Sequence, residues 1–139
     1  MAYRAFFDTN VLAYEFDRSD PRRQTTAERL LDEWRPSGRM VISTQVLQEL
    51  YVVLTMKLRP QLEEEEAERL IRQYSGLDVV IVDPDLIVEG IRIRRGHRLS
   101  FWDALIVAAA SEGRCRYLFT EDLSHGMRIE GVEIVNPFR

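Results

Sequence analysis

Four acidic residues of this 139-residue chain lie where a strand is predicted to end or a helix to begin: Asp8, Glu49, Asp103 and Asp122. Asp8 follows the apolar run Tyr3 to Phe7 and precedes a helical pattern from Val11 to Phe16. Because Asp, Thr and Asn are also ordinary helix N-caps, the triplet Asp8-Thr9-Asn10 alone has an equally good structural explanation. The position of the other acids therefore decides whether this junction is a functional site.

Each of the other three acids also has a structural alternative. Glu49 lies at the edge of an apolar helical stripe, so its carboxylate is expected to be partly buried and to need a cation or a hydrogen-bond partner. Asp103 follows Ser100 by three positions, as in a capping box, although Glu or Gln is the usual acid there. Asp122 follows a strand, where an Asx-turn or a helix cap would also explain it.

The four acids nevertheless share one predicted location. Right-handed crossovers bring the carboxyl ends of parallel strands and the starts of the following helices to the same edge of the sheet. Clustered carboxylates repel one another, and their oxygen atoms suit hard divalent cations such as Mg²⁺ or Mn²⁺. Such a site can hydrolyse phosphodiesters. His97 and His125 offer no zinc pair, and no phosphate-binding loop or serine-nucleophile motif occurs.

The elements that would position these acids alternate along the chain. Strands are predicted at Tyr3 to Phe7, Met40 to Ile42, Asp78 to Val82, Arg116 to Phe119 and Val132 to Val135. Between them, helices begin at Asp20-Pro21, at Ser43 or Thr44, at Glu63, at Asp83-Pro84 and at Ser100, and end near Pro36, Arg59, Tyr74, Gly96 and Gly113. This order predicts an α/β protein with a parallel sheet covered on both faces.

Length and composition predict a single domain over residues 1–139. Apolar residues make up 45% of the chain and charged residues 30%, as in soluble globular proteins. No apolar stretch is long enough to span a membrane and no secretory signal is present, so the protein is expected to be cytoplasmic. The single Cys115 cannot form an internal disulfide and is expected to be a buried thiol.

The charge distribution is uneven. A net charge of −4 disfavours non-specific binding to nucleic acid, yet 18 of the 19 basic residues are arginine and Lys57 is the exception. Four arginines lie close together, and their planar guanidinium groups suit phosphate: Arg92, Arg94, Arg95 and Arg98. A solvated helix face explains them equally well. With Arg22 and Arg23, they form the hypothetical RNA-binding surface.

Four short motifs, in order, resemble the PIN domain family and, more closely, its VapC-type ribonuclease toxins. They are Asp8-Thr9-Asn10, Glu49 in the segment Ser43 to Leu50, Asp103 in the segment Leu99 to Leu105, and Asp122 in Thr120-Glu121-Asp122-Leu123. The resemblance runs from Asp8 to the strand near Val135 and is complete at the four acidic positions.

The resemblance implies a three-layer α/β/α sandwich around a five-stranded, mostly parallel sheet. It implies an endoribonuclease site in which Asp8, Glu49, Asp103 and Asp122 hold Mg²⁺ or Mn²⁺ and orient the attacking water. Asn10 and Thr120 match supporting positions, and Glu121 is a weaker candidate. It further implies an RNA substrate, a homodimer, and a cognate antitoxin encoded beside this protein.

Three other interpretations stay open at this stage. A PIN nuclease of RNA processing would carry the same acids, and the short chain favours the toxin over it. A PIN-like module that binds RNA or protein without catalysis would not need the full set of acids. A phosphatase of the haloacid dehalogenase type also places an Asp after its first strand, but it needs a second Asp where this chain has Asn10 and a downstream lysine, and Lys57 is the only lysine here.

Overall fold

The computed structural model describes residues 3–139, in which one mixed sheet of six strands has the order β3-β2-β1-β4-β6-β5. The strands are β1 (Ala5–Phe7), β2 (Met40–Ser43), β3 (Asp78–Val80), β4 (Tyr117–Phe119), β5 (Arg128–Ile129) and β6 (Val132–Val135). β1 pairs in parallel with both β2 and β4, and β2 with β3 and β4 with β6 are also parallel. Only β5 is antiparallel to its neighbour, β6.

Six α-helices connect these strands. They are α1 (Thr9–Tyr14), α2 (Pro21–Trp34), α3 (Thr44–Val52), α4 (Glu64–Tyr74), α5 (Pro84–His97) and α6 (Phe101–Glu112). A 3-10 turn at Arg35–Ser37 follows α2, and a π-helical turn at Val53–Lys57 follows α3. No helix within residues 3–139 is long and apolar enough to cross a bilayer.

Helix starts follow the capping chemistry that the sequence indicates. The side chains of Asp20, Ser43, Asp83 and Ser100 each accept a hydrogen bond from the backbone N–H three residues later. Asp20 and Asp83 are each followed by proline at the first helical position, which the fixed φ of proline favours. Helices α2, α3, α5 and α6 therefore begin where the sequence predicts.

The sheet separates the helices into two groups. The chain moves from β1 to β2 to β3 in one direction across the sheet and then returns from β3 to β4 on the far side of β1. Right-handed crossovers therefore place α1 to α4 on one face and α5 and α6 on the other. β1 is completely buried between them, as is α6 from Ala104 to Ala110, so both lie in the core of the α/β sandwich.

The structure corrects the strand count and several element boundaries of the sequence prediction. The sheet has six strands rather than five, because the two-residue β5 pairs with β6 at the edge. β1 and β3 are shorter than predicted and exclude Tyr3, Arg4, Ile81 and Val82. The third helix changes to a π-helical turn after Val52. The first two positions of the predicted domain 1–139 lie outside the described residues.

Helix α5 continues through Gly96, where the sequence suggested its end. The helix ends at His97, and Arg98 follows in the left-handed conformation with φ of 55°. The Arg98 N–H donates to the Arg94 carbonyl, which closes the last turn without a glycine. Glycine is common just after a helix, but Gly96 here is an interior residue, so residue type alone was misleading.

Candidate active site

Asp8 lies at the carboxyl end of the central strand β1 and is 5% exposed. Its Oδ1 accepts a hydrogen bond from the Thr9 backbone N–H at 2.7 Å, and its Oδ2 accepts one from the Thr120 hydroxyl at 2.8 Å. Burial raises the pKa of Asp8 from 3.8 to about 7, and the charges of Asp122 and Glu49 add to this, whereas the two hydrogen bonds oppose it. Asp8 is therefore a buried acid whose ionised form needs a cation.

Glu49 reaches the same region from α3. The Thr9 hydroxyl donates to its Oε1 at 2.9 Å, so Thr9 contacts two acids, one with its backbone and one with its side chain. The Gln45 amide, one turn earlier on α3, donates a long hydrogen bond of 3.4 Å to the second carboxylate oxygen. Glu49 is half-buried, as its place on the apolar stripe predicted.

Asp122 follows β4 and stands at the exposed edge of the group. The Asn10 side-chain amide donates to its Oδ2 at 3.0 Å, and its own backbone N–H donates to the Thr120 hydroxyl at 3.1 Å. Burial raises the pKa of Asp122, as do the charges of Asp103 and Glu121. Asn10 and Thr120 thus join Asp8 and Asp122 in one hydrogen-bonded network.

Asp103 lies in the first turn of α6, where the Ser100 hydroxyl accepts from its backbone N–H. This is the capping interaction that the sequence suggested, and it leaves the carboxylate free. The charge of Asp103 contributes to the raised pKa of Asp122. Asp103 does not itself line the cavity described in the next paragraph. The Gln45 amide also donates to the Trp102 carbonyl at 3.3 Å, which ties the start of α6 to Glu49.

A cavity of about 580 Å³ opens above these residues. Its acidic lining comprises Asp8, Asp17, Glu49, Glu121 and Asp122. Val52, Val53, Lys57 and Leu58 also line it, from the end of α3 and the π-helical turn that follows. The lining therefore combines five acids with apolar side chains and one lysine.

The donor set suits a hard divalent cation. Asp8, Glu49 and Asp122 are oxygen ligands on one cavity, and none of the ion pairs described for residues 3–139 includes them or Asp103. Within the same residues, no three acidic, histidine or cysteine side chains are already close enough to bind one ion together. The chemistry of the acids fits Mg²⁺ or Mn²⁺, and their side chains would have to draw together around the ion.

Glu121 differs from the other acids of the cavity because it has an arginine partner. The Tyr14 hydroxyl donates to one of its carboxylate oxygens and the Arg23 guanidinium to the other, each at 2.7 Å. Burial and this hydrogen bond raise the pKa of Tyr14 to about 12. The charge of Glu121 is thus largely neutralised by Arg23, which also pairs with Asp20.

Two contacts in the site were missed by the sequence analysis. Thr9 was given no role beyond a helix cap, yet its hydroxyl donates a hydrogen bond to Glu49. Gln45 was not singled out, although its spacing of four residues from Glu49 on a helix was a usable signal. Gln45 is 6% exposed and its Oε1 has no hydrogen-bond partner among the described residues.

None of the arginines proposed for RNA binding lines this cavity. Arg92 pairs with Glu89 and Glu130, whereas Arg94, Arg95 and Arg98 are exposed without a described ion pair. Arg22 is exposed on α2. His97 lies 3.6 Å from Glu130 and His125 accepts a hydrogen bond from the Asn136 backbone, so the two histidines do not meet.

Comparison with known proteins adds independent evidence. A toxin–antitoxin complex from Klebsiella pneumoniae contains a chain that is 25% identical, with a TM-score of 0.71 over 96% of this chain and 97% of that one. Mycobacterium tuberculosis VapC20, a sarcin-ricin loop cleaving toxin, is 26% identical, with a TM-score of 0.67 over 85% of this chain and 91% of VapC20.

A DNA-bound VapBC complex from Salmonella typhimurium shares the fold at 21% identity, with a TM-score of 0.64 over 95% of this chain and 96% of that one. The comparison with curated protein sequences gives no match. The family model described as PIN domain matches residues 5–125, which include all four acids. This chain therefore belongs to the PIN domain family.

Proposed function

We propose that this protein is a metal-dependent endoribonuclease that hydrolyses RNA phosphodiester bonds and acts as the toxin of a toxin–antitoxin pair. One observation carries the proposal: Asp8, Glu49 and Asp122 line a single cavity of a PIN domain without a cationic partner. The similarity to VapC20 supports RNA as the substrate, and the Klebsiella pneumoniae complex supports an antitoxin partner.

The proposed metal ligands are Asp8, Glu49 and Asp122, with Asp103 at the edge of the group. Bound Mg²⁺ or Mn²⁺ would lower the pKa of a water molecule and neutralise charge on the phosphate. The hydroxyls of Thr9 and Thr120 hold Glu49 and Asp8 in place. Asn10 does the same for Asp122, so these three side chains orient the acids.

The toxin assignment carries further proposals. The protein would form a homodimer, and a cognate antitoxin would cover the acidic cavity and silence it. Residues 1–139 would act as one domain. A PIN nuclease that processes RNA without a toxic role is the nearest competitor, and the cellular experiment below distinguishes the two.

The first test is cleavage of total cellular RNA by the purified protein with Mg²⁺, with Mn²⁺ and with EDTA. We expect cleavage only with metal, and a loss of at least about 100-fold in rate for Asp8→Asn. Asp85→Asn is the matched control, because Asp85 is an exposed acid in the first turn of α5. Cleavage that persists in EDTA, or in Asp8→Asn at the wild-type rate, would refute the mechanism.

The second test concerns the toxin role. Expression of the wild-type protein is expected to arrest growth, Asp8→Asn is expected to be harmless, and coexpression of the neighbouring gene is expected to relieve the arrest. Normal growth with an active wild-type enzyme would instead favour an RNA-processing nuclease.

A further inference from the structure

The π-helical turn after α3 changes which side chains face the acidic cavity. Along α3 the lining residues are Gln48 and Glu49 and then Val52 and Val53, a spacing of four. The next pair, Lys57 and Leu58, follows after five residues, because the Leu58 N–H donates to the Val53 carbonyl in an i to i+5 turn. Met56, one of the positions that α-helical spacing would select, is 65% exposed and is not part of the lining. Spacing of four from Val53 also selects Lys57, so the wider turn keeps Lys57 in the cavity wall and brings Leu58 there in place of Met56.

Lys57 is the only cationic side chain on the described lining of this cavity. None of the ion pairs described for residues 3–139 includes it. Val52, Val53 and Leu58, which also line the cavity, are apolar and offer Lys57 no anionic partner. Lys57 thus places one positive charge on a lining that also carries five acidic residues.

The presence of a lysine rather than an arginine at position 57 is also informative. Lys57 is the only lysine in a chain that otherwise uses arginine. An arginine fork binds carboxylates with two parallel hydrogen bonds, and at this position it could bind the acids themselves and block them. A lysine ammonium is a compact point charge on a flexible stem, which binds a phosphate without that geometric match to a carboxylate.

We propose that Lys57 is a positioning residue that binds a backbone phosphate of the RNA beside the bond to be cleaved. The inference rests on the proposed function. It names Lys57 in the cavity wall, rather than the arginines of α5, as the residue that binds the phosphate of the substrate. Phosphate contacts are independent of sequence, so Lys57 is expected to strengthen the binding of any RNA strand that enters the cavity.

Fluorescence anisotropy with a short fluorescein-labelled single-stranded RNA of mixed sequence, in EDTA, tests this contact without turnover. For Lys57→Gln we expect several-fold weaker binding. The slope of log affinity against log salt concentration should also be shallower by about 0.7, which is the value for one lost phosphate contact on a single strand. The control is Arg69→Gln, an exposed charge on α4 outside the cavity lining, which should leave affinity and slope unchanged.

Kinetics and labelling provide independent readouts. With Mg²⁺, Lys57→Gln is expected to raise KM several-fold with little change in kcat, because the contact exists before and during the reaction. Since Lys57 is the only lysine, reductive ¹³C-methylation marks one side chain besides the terminal amine, and its NMR signal should move when the RNA probe is added. A structural role for Lys57 would change neither the salt slope nor this signal.

The outcomes separate this inference from the proposed function. If the wild-type protein cleaves RNA while Lys57→Gln keeps its affinity, salt slope and KM, Lys57 does not bind the substrate. If Lys57→Gln instead loses only the response to the neighbouring gene product, the contact is to a protein and the proposal is wrong. If the wild-type protein neither binds nor cleaves RNA, the proposed nuclease function is wrong, and the phosphate-binding role proposed for Lys57 is wrong with it.

Discussion

Asp8 is the most buried of the four acids, and its burial makes the stability of the protein depend on pH. Its pKa in the folded protein is about 7, well above the ordinary value of 3.8, mainly because of burial. The folded state therefore holds this proton more tightly than the unfolded state does. The stabilisation that protonated Asp8 contributes to the folded state is fully present below about pH 4 and is lost as the pH rises through about 7.

We expect Asp8→Asn to stabilise the metal-free protein at pH 8 by about 1–3 kcal/mol, since it removes a buried charge. The asparagine oxygen can still accept from the Thr9 N–H, whereas its amide can only donate to the Thr120 oxygen, so the Thr120 hydroxyl loses the acceptor that Asp8 provides and part of the gain is offset. Urea denaturation in EDTA at pH 5 and pH 8 measures this, with Asp85→Asn as the control that keeps the wild-type pH dependence. A less stable Asp8→Asn protein at pH 8 would contradict the prediction.

At the scale of elements, the packing of α5 on α6 explains why Gly90 and Gly96, both in α5, differ in the space available for a side chain. A Cβ added to Gly90 would lie 3.1 Å from Leu105 Cδ1 and 3.5 Å from Leu105 Cα, so the two helices approach closely there. A Cβ added to Gly96 would meet nothing within 4 Å. Gly96 is exposed and helical, and its missing side chain therefore only weakens the helix.

Gly96→Ala is therefore expected to stabilise the protein by about 0.5–1 kcal/mol. Gly90→Val should destabilise it by about 1–3 kcal/mol, because the branched side chain would force Leu105 out of position. Chemical denaturation of both variants measures the difference. A destabilised Gly96→Ala protein would mean that α5 ends before Gly96, as the sequence alone suggested.

At the scale of the whole molecule, we expect the acidic cavity to couple the proposed metal binding to folding. The chain already has a net charge of −4, and an ion held by Asp8, Glu49 and Asp122 would offset repulsion among carboxylates that come from the ends of β1 and β4 and from helix α3. A ligand that binds only the folded state raises its stability in proportion to the logarithm of ligand concentration.

Saturating Mn²⁺ is expected to raise the Tm of the wild-type protein by about 5 °C or more, the effect of about 2–3 kcal/mol on a domain of this size. Asp8→Asn should show little or no shift, whereas Asp85→Asn should shift like the wild type. Differential scanning calorimetry at several Mn²⁺ concentrations measures this. Equal shifts in the wild-type and Asp8→Asn proteins would place the metal elsewhere.

The sequence by itself determined the features that depend on local pattern. The alternation of short apolar strands and capped helices predicted an α/β fold with a mostly parallel sheet, which the structure confirms. The four motifs around the acids, in order, also carried the resemblance to the PIN domain family, which the family model confirms. These signals are local in the chain, so they could be seen without coordinates.

Only the tertiary structure decided which side chains meet. The hydroxyl of Thr9 reaches Glu49 across 40 positions, and Arg23 reaches Glu121 across 98, and no local pattern encodes such distances. The edge strand β5 was missed because two residues have too little periodicity to detect. The π-helical turn that places Leu58 rather than Met56 beside Lys57 in the cavity wall also leaves no signature in composition, because one extra residue in a turn changes the facing side chains and not the residue types.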